Sequence, residues 1–393
     1  MDALQNLTAF LARHFGPPRL FLLVAAWILA LGAWGMVARN FLPMEHKLHW
    51  GIPVELRAPL YAKYDSGWYL SIMEWGYGPP PPQGNPSNHA FFPLYPLTAK
   101  VLHDTFAMDG FHAGLIVTYL CLFLAVPLFW REGRERLGED GAWNAVLFLL
   151  LFPTSFFLAA MYSESMFLLL ALLAFRDARR GALGRAVLWA FLLGLTRATA
   201  LAVAPALFFA ALERRPPGSR SESGARRFAN ALLLAAVPVA GVFLWAYGIG
   251  LVNHEPNLFF RSMHGWNRVA SSAKGVSDWF ALVQTRFQTA AWKTNPTILL
   301  DYGTVILFGI IAIFQLVRKR WADAAWTGSA LALPMTTGLS DGIPRYMLVV
   351  YPAYFAMAEA TRGHRRARIV WWTVSGALLL VAAARFVNWQ WVA

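Results

Sequence analysis

The sequence predicts an all-α integral membrane protein, on three observations. Hydrophobic residues fill 58% of its 393 positions. Charged residues fill only 14%, against about 25% in a soluble domain. Apolar stretches long enough to span a bilayer recur along the chain, and arginines cluster in the short intervals between them. Residues 1–393 read as a single polytopic membrane domain. The net charge of +13 points first to nucleic acid, but short basic clusters between apolar segments are what cytoplasmic loops require, so no nucleic-acid partner is expected. Cys121 is the only cysteine and lies in an apolar run, which rules out an intrachain disulfide and a cysteine-based zinc site.

In order, residues 1–17 place Leu4, Leu7, Phe10, Leu11 and Phe15 near one face and predict a short interfacial helix. Residues 18–38 span the bilayer, with Arg13 and Arg19 holding the N-terminus inside. Their long apolar core, with no small-x-small site after it, argues against cleavage as a signal peptide. Residues 39–109 form a long first outer loop. Within it Tyr64, Trp68, Ile72 and Trp75 recur at helical spacing, Gly78 to Pro82 ends that helix, and Phe91 to His103 forms a second short surface helix. Residues 110–130 return to Arg131, Arg134 and Arg136. Residues 141–175, broken at Pro153, must cross twice, because Arg176, Arg179, Arg180 and Arg185 mark the inside again.

The same logic makes 186–212 a second hairpin with Thr196 and Arg197 at its outer tip. Each arm falls short of the ~20 residues a full span needs, which predicts a membrane-embedded cavity open to the outer side. Residues 228–250 cross outward, and 251–296 form a second long outer loop. Residues 297–317, 322–337, 346–361 and 368–387 complete about eleven crossings, with the segment 341–346 as an outer turn and the C-terminus outside.

Charged groups at membrane depth are costly and mark functional sites by default. Here they gather at outer helix ends and in the two outer loops: Asp65, His89, Glu164, Arg197, Arg261, His264, Arg268, Asp341 and Arg345. A transporter more often places such groups near the bilayer midplane. Each has a plain structural alternative. Asp65 opens a predicted helix and fits a cap. Glu164 fits an acid bonded to a neighbouring helix. Arg197 and Arg345 fit snorkelling residues, although each follows a helix break and guanidinium is the group best shaped to grip a phosphate. His89 and His264 fit satisfied surface histidines. Trp68, Tyr69 and Trp266 fit an interfacial aromatic belt as well as sugar stacking. No HExxH or clustered-acid pattern marks a tightly held metal, and a loosely held divalent ion is left open.

The run YDSGWYLSIMEWGY (64–77) followed by FFPLYP (91–96) resembles the first-loop signature of the PIG-V family, which contains the second mannosyltransferase of glycosylphosphatidylinositol-anchor synthesis and its prokaryotic relatives. FPTSFFLAAMYSES (152–165), GLTRATAL (194–201) and PRYMLVVYP (344–352) are similar to further segments of that family, in the expected order. The resemblance implies the GT-C type of fold, a polyprenyl- or dolichyl-phosphate sugar donor, mannose as the usual sugar, and no resident cofactor. Asp65 matches the acid of the family's tryptophan–aspartate motif, here Tyr64-Asp65. The glycosylphosphatidylinositol acceptor is not carried over.

On that basis Asp65 is expected to act as general base on an acceptor hydroxyl that attacks C1 of the donor sugar with inversion. Arg345 and Arg197 are the leading candidates to stabilise the leaving phosphate, followed by Arg261, His264, Arg268 and Lys63. Trp68, Tyr69 and Trp266 are expected to bind sugar, with His89 and Glu164 beside them. The partners implied are the lipid bilayer, the polyprenyl-phosphate sugar and a glycan, glycolipid or protein acceptor, with the chain read as a monomer in a prokaryotic plasma membrane and the site facing out. The competing class is a transporter or flippase of a lipid-linked saccharide.

Overall fold

The computed structural model describes residues 17–44, 58–80, 82, 85–213, 223–266, 273–336 and 341–392. The expected helix over 1–17 falls almost wholly outside them, and so does Arg268. Every regular element among the described residues is an α- or 3-10 helix, and five helices are long and apolar enough to cross a membrane. The first, α1 (Pro18–Phe41), starts with proline in its first turn, where a missing amide hydrogen costs nothing.

The segment 39–109, the expected first outer loop, contributes the two short helices its spacing predicts, α2 (Asp65–Trp75) and α3 (Leu94–Phe106). Tyr64 had been grouped with the first of these by its spacing. It instead precedes α2 with a left-handed φ of 51°. Gly76, with φ 72°, stops α2 before the proline run begins.

The next element corrects an expected loop. Arg131, Arg134 and Arg136 are not in a connection but inside α4 (Gly110–Leu150), whose helical backbone is interrupted at Gly138 (φ 79°, ψ 178°). That angle pair is open to glycine alone, and it folds α4 back on itself. The rings of Trp130 and Trp143 lie 5.9 Å apart, where a straight helix would hold them ~20 Å apart. Basic side chains suit the last turn before such a reversal because they face the negative end of the helix dipole.

After α4 the chain runs through turns and a 3-10 stretch (Ser155–Leu158) into the almost fully buried α5 (Glu164–Arg180). The second hairpin appears as expected from its sequence: α6 (Leu183–Gly194), a break at Leu195 to Arg197, a 3-10 stretch (Ala198–Val203) and α7 (Ala204–Leu212). α8 (Gly224–Val252) packs against it so closely that a Cβ on Gly194 would meet the Pro238 carbonyl oxygen at 2.4 Å. The segment 251–296, the expected second outer loop, holds α9 (Leu258–Gly265) and α10 (Ala273–Gln288), followed by α11 (Thr297–Val317) and α12 (Trp321–Thr336).

The expected turn at 341–346 is likewise corrected. Arg345 and Tyr346 belong to a short helix, α13 (Ile343–Leu348), and the break falls at Val349 and Val350. Pro352 then opens α14 (Tyr351–Ala360), since proline initiates a helix but cannot continue one. α15 (Arg365–Val387) runs parallel to α1, with the Trp34 indole donating to Leu380 O and the Asn388 amide to Ala38 O.

The two ends of the bundle differ in charge. α4 begins at Gly110 against Leu70 of α2, and climbing from Gly110 to Gly138 carries it ~40 Å away. At that far end Arg19 pairs with Glu139, Arg136 and Arg179 both bind Asp323 (2.9 and 3.1 Å), and Arg318 and Arg320 both bind Glu359 (2.7 Å each). Asp65, Arg197 and Arg345 lie at the end where α4 begins.

Candidate active site

The site is built on the junction between the segment 61–69 and the segment 161–164. The Met161 amide donates to Tyr61 O (2.9 Å), Ser66 Oγ donates to Met161 O (3.1 Å), and the Tyr69 and Ser163 hydroxyls bond at 3.1 Å. The Asp65 amide donates to Tyr162 Oη (3.2 Å), which donates in turn to Lys63 O (3.0 Å). This lattice holds Asp65 at the first position of α2, where the positive end of the helix dipole favours a carboxylate. The left-handed Tyr64 just before it costs about 1–3 kcal/mol that its surroundings must offset.

Arg345 reaches Asp65 from α13. Its Nη1 lies 2.7 Å from Asp65 Oδ2, its Nε lies 2.5 Å from Glu164 Oε1, and its guanidinium carbon stands 4.4 Å from the centre of the Tyr162 ring. Arg197, at the tip of the second hairpin, binds the same Glu164 oxygen. Glu164 is fully buried, whereas Asp65 keeps 22% of its side chain exposed. Two carboxylates and two guanidiniums thus form a set with no net charge, which is what makes their burial tolerable.

Asp65, Arg197 and Arg345 line one side of a cavity of about 280 Å³. Asp341 joins them, gripped from behind by both terminal nitrogens of Arg286 at 2.8 and 3.2 Å. Aromatic rings line the same cavity: Tyr64, Trp68, Phe91, Trp266, Trp389 and Trp391. Trp68 stacks on Phe91 (centroids 6.0 Å apart) and meets Trp266 edge-on at 5.4 Å. The cavity therefore offers a charged face and flat apolar faces within one space, the pairing a carbohydrate phosphate needs.

The structure brings Asp65, Arg197, Arg345, Trp68, Tyr69 and Trp266 onto the cavity wall, with Glu164 directly behind. The other expected residues stand back from it. Lys63 is 1% exposed, its ammonium 4.9 Å from the Trp389 ring. Burial, with Arg39 nearby, lowers that ammonium to about 8. His89 is buried beside Ser87 Oγ (3.2 Å), and burial also lowers its affinity for a proton. Arg261 pairs with Glu255 at 2.5 Å. His264 ends α9 next to the lining residue Met263. Among the described residues no three His, Cys, Asp or Glu side chains gather as metal ligands.

Sequence reasoning missed four neighbours of the site: Arg286, Asp301, Trp389 and Trp391. Asp301 accepts the Ile343 amide at 3.1 Å and so pins the start of α13. It was discoverable, as a lone acid inside the apolar run 297–317. The two tryptophans carried no signal among so many aromatics.

The sequence model of the mannosyltransferase (PIG-V) family matches residues 58–232. That stretch contains Asp65, Glu164 and Arg197. Over that stretch, which is less than half of the chain, the sequence is similar to the PIG-V family. No curated protein matches it. Solved structures similar to this chain include three of the Archaeoglobus fulgidus oligosaccharyltransferase: tethered with an acceptor peptide containing the NVT sequon, in complex with Zn and sulfate, and in the apo form. Each is 12% identical with a TM-score of 0.44, and the match covers 93% of this chain and 55%, 52% and 56% of those chains respectively. The chain thus spans about half the length of the solved chains it matches.

Proposed function

We propose that this PIG-V-like chain is a membrane glycosyltransferase that moves a sugar, mannose by its family resemblance, from a polyprenyl-phosphate donor to an acceptor hydroxyl. One observation carries the proposal. A partly exposed carboxylate, Asp65, and the guanidinium of Arg345 meet at 2.7 Å on the wall of an aromatic-lined cavity. Those are the two groups an inverting transfer needs, a base for the attacking hydroxyl and a cation for the departing phosphate.

The donor phosphate enters beside Arg345 and Arg197 and takes the place of Asp65 on Arg345 Nη1. Glu164, held by both arginines, keeps them fixed while this exchange occurs. Asp65, freed from its cation, becomes a better acceptor for a proton. The acceptor oxygen forms its bond to sugar C1 as the bond from C1 to the phosphate oxygen breaks. The hydroxyl proton passes to Asp65, and the bonding electrons leave with the lipid phosphate, whose added charge faces the two guanidiniums. Trp68 and Trp266 present flat faces to the sugars. The cavity sits at the break between two helices too short to span a bilayer, which suits a substrate whose tail stays in the lipid. The site is proposed to face outward in a prokaryotic plasma membrane.

The test is sugar transfer by purified protein in detergent, given a short-chain polyprenyl-phosphate mannose and a panel of mannoside acceptors. Wild type should form product, and Asp65→Asn should lose ~10²-fold or more in kcat. Equal turnover in the two would remove Asp65 from the base role. No transfer from any donor sugar, combined with movement of lipid-linked saccharide across vesicles, would instead support a flippase.

A further inference from the structure

We propose that Trp389 and Trp391 are positioning residues that aim Asp65 by clamping Tyr64. The inference rests on the reading of Asp65 as the base.

Tyr64 is the residue immediately before Asp65, and its φ of 51° with ψ −112° is a conformation that a bulky side chain rarely holds. The backbone on either side is held by the Tyr162 hydroxyl, at Lys63 O and the Asp65 amide, and by the Ser66 amide bonded to Lys63 O (3.2 Å). The ring adds a restraint from the far end of the chain: its centroid lies 5.2 Å from Trp389, 5.7 Å from Trp391 and 5.6 Å from Phe386. Both tryptophans meet it edge-on, a preferred geometry between rings.

The clamp is itself anchored. The Asn388 amide donates to Ala38 O (3.2 Å) and Ala384 O (2.9 Å), the Gln390 amide to Pro43 O (3.1 Å), and Arg385 to Trp391 O (3.1 Å). The segment after α15 is therefore tied to α1 and laid over Tyr64. A rotation of the Tyr64 backbone to an ordinary φ would swing the start of α2 and take the Asp65 carboxylate off the cavity wall. Fixing a catalytic group to within a fraction of an ångström governs kcat more than affinity.

Two comparisons test this. Trp391 is 45% exposed, so Trp391→Ala should fold. It should lower kcat ~10-fold with donor and acceptor KM near wild type, and Trp391→Phe should restore most of the loss. A raised acceptor KM with kcat intact would make Trp391 a sugar platform and overturn the proposal, as would no effect on either constant. The second comparison is within Tyr64 itself. Tyr64→Ala loses the ring while φ 51° stays unfavourable for it, so its backbone relaxes, whereas Tyr64→Gly adopts φ 51° freely. Glycine should therefore retain several-fold more kcat than alanine. If alanine equals or exceeds glycine, conformation is not what the ring controls. Asp65→Asn assayed in parallel separates the two ideas. An active Asp65→Asn defeats the base assignment. An inactive Asp65→Asn beside an unchanged Trp391→Ala defeats only the clamp.

Discussion

Asp65→Asn is expected to bind the lipid phosphate more tightly than wild type even as it stops transferring sugar. Asp65 Oδ2 lies 2.7 Å from Arg345 Nη1, the nitrogen that an incoming phosphate needs on the proposed mechanism. A hydrogen bond to a charged group contributes about 1.5–3 kcal/mol net, and it is roughly twice as strong as its neutral counterpart. Replacing the carboxylate by an amide thus removes about 1–1.5 kcal/mol of competition for Arg345, and it also removes a negative charge beside the phosphate. The expected change is a ~10-fold lower Kd. The assay is calorimetric titration of detergent-solubilised protein with a short-chain polyprenyl phosphate at low salt, for wild type, Asp65→Asn and Arg345→Ala. Arg345→Ala should bind at least ~10-fold more weakly. Equal or weaker binding by Asp65→Asn would refute the exchange, because the carboxylate would then not compete with the ligand. Unchanged binding by Arg345→Ala would move the phosphate elsewhere.

Further outcomes follow from the same geometry. Glu164→Ala leaves Arg197 and Arg345 buried without their shared acid and should destabilise the protein by about 3–5 kcal/mol, read as a large drop in thermal midpoint that Asp65→Asn does not share. Lys63→Met should stabilise at neutral pH, because the folded ammonium is lowered from 10.5 to about 8. The wild type therefore carries a handicap of about 3 kcal/mol, constant below pH 8, that shrinks as pH rises from 8 towards 10.5, and melting curves of the two proteins should converge over that range. Donor-first binding should appear in product inhibition. Polyprenyl phosphate should compete with the donor and give mixed inhibition against the acceptor, and the reverse pattern would mean that the acceptor opens the Asp65–Arg345 pair.

What could be read from the sequence was whatever left a local mark. The hairpin at 186–212 was legible because two basic clusters must lie on one side while the apolar run between them is too short for two full spans, and the structure breaks it at Leu195 to Arg197. The first-loop helices were legible from aromatic spacing and from the prolines and glycines that stop them. The reversal at Gly138 was not, because α4 is helical on both sides of one glycine and the arginines before it look like a loop. Nor was the break at Val349 and Val350, where hydropathy stays high. Of the site, Asp65, Arg197 and Arg345 could be nominated singly by their cost in a membrane. Their pairing could not, since Asp65 and Arg345 are 280 positions apart. The clamp on Tyr64 is hidden for the same reason.

The pairing that sequence could not reveal is what reconciles stability with function. A site holding only the two arginines would be strongly cationic in a poorly hydrated cavity, and one holding only the two acids would repel its substrate. With all four side chains the site is neutral and can be buried. Its members are unequal, however. Glu164 has no exposed surface and is shared by both arginines, whereas Asp65 has 22% of its side chain exposed and a single cation. An entering anion can therefore displace Asp65 but not Glu164. On the proposed mechanism the exchange would swap one negative charge for another on Arg345, leave the guanidiniums in place, and turn the displaced carboxylate into the base. The burial of Glu164 fixes the cations, and the exposure of Asp65 makes them available.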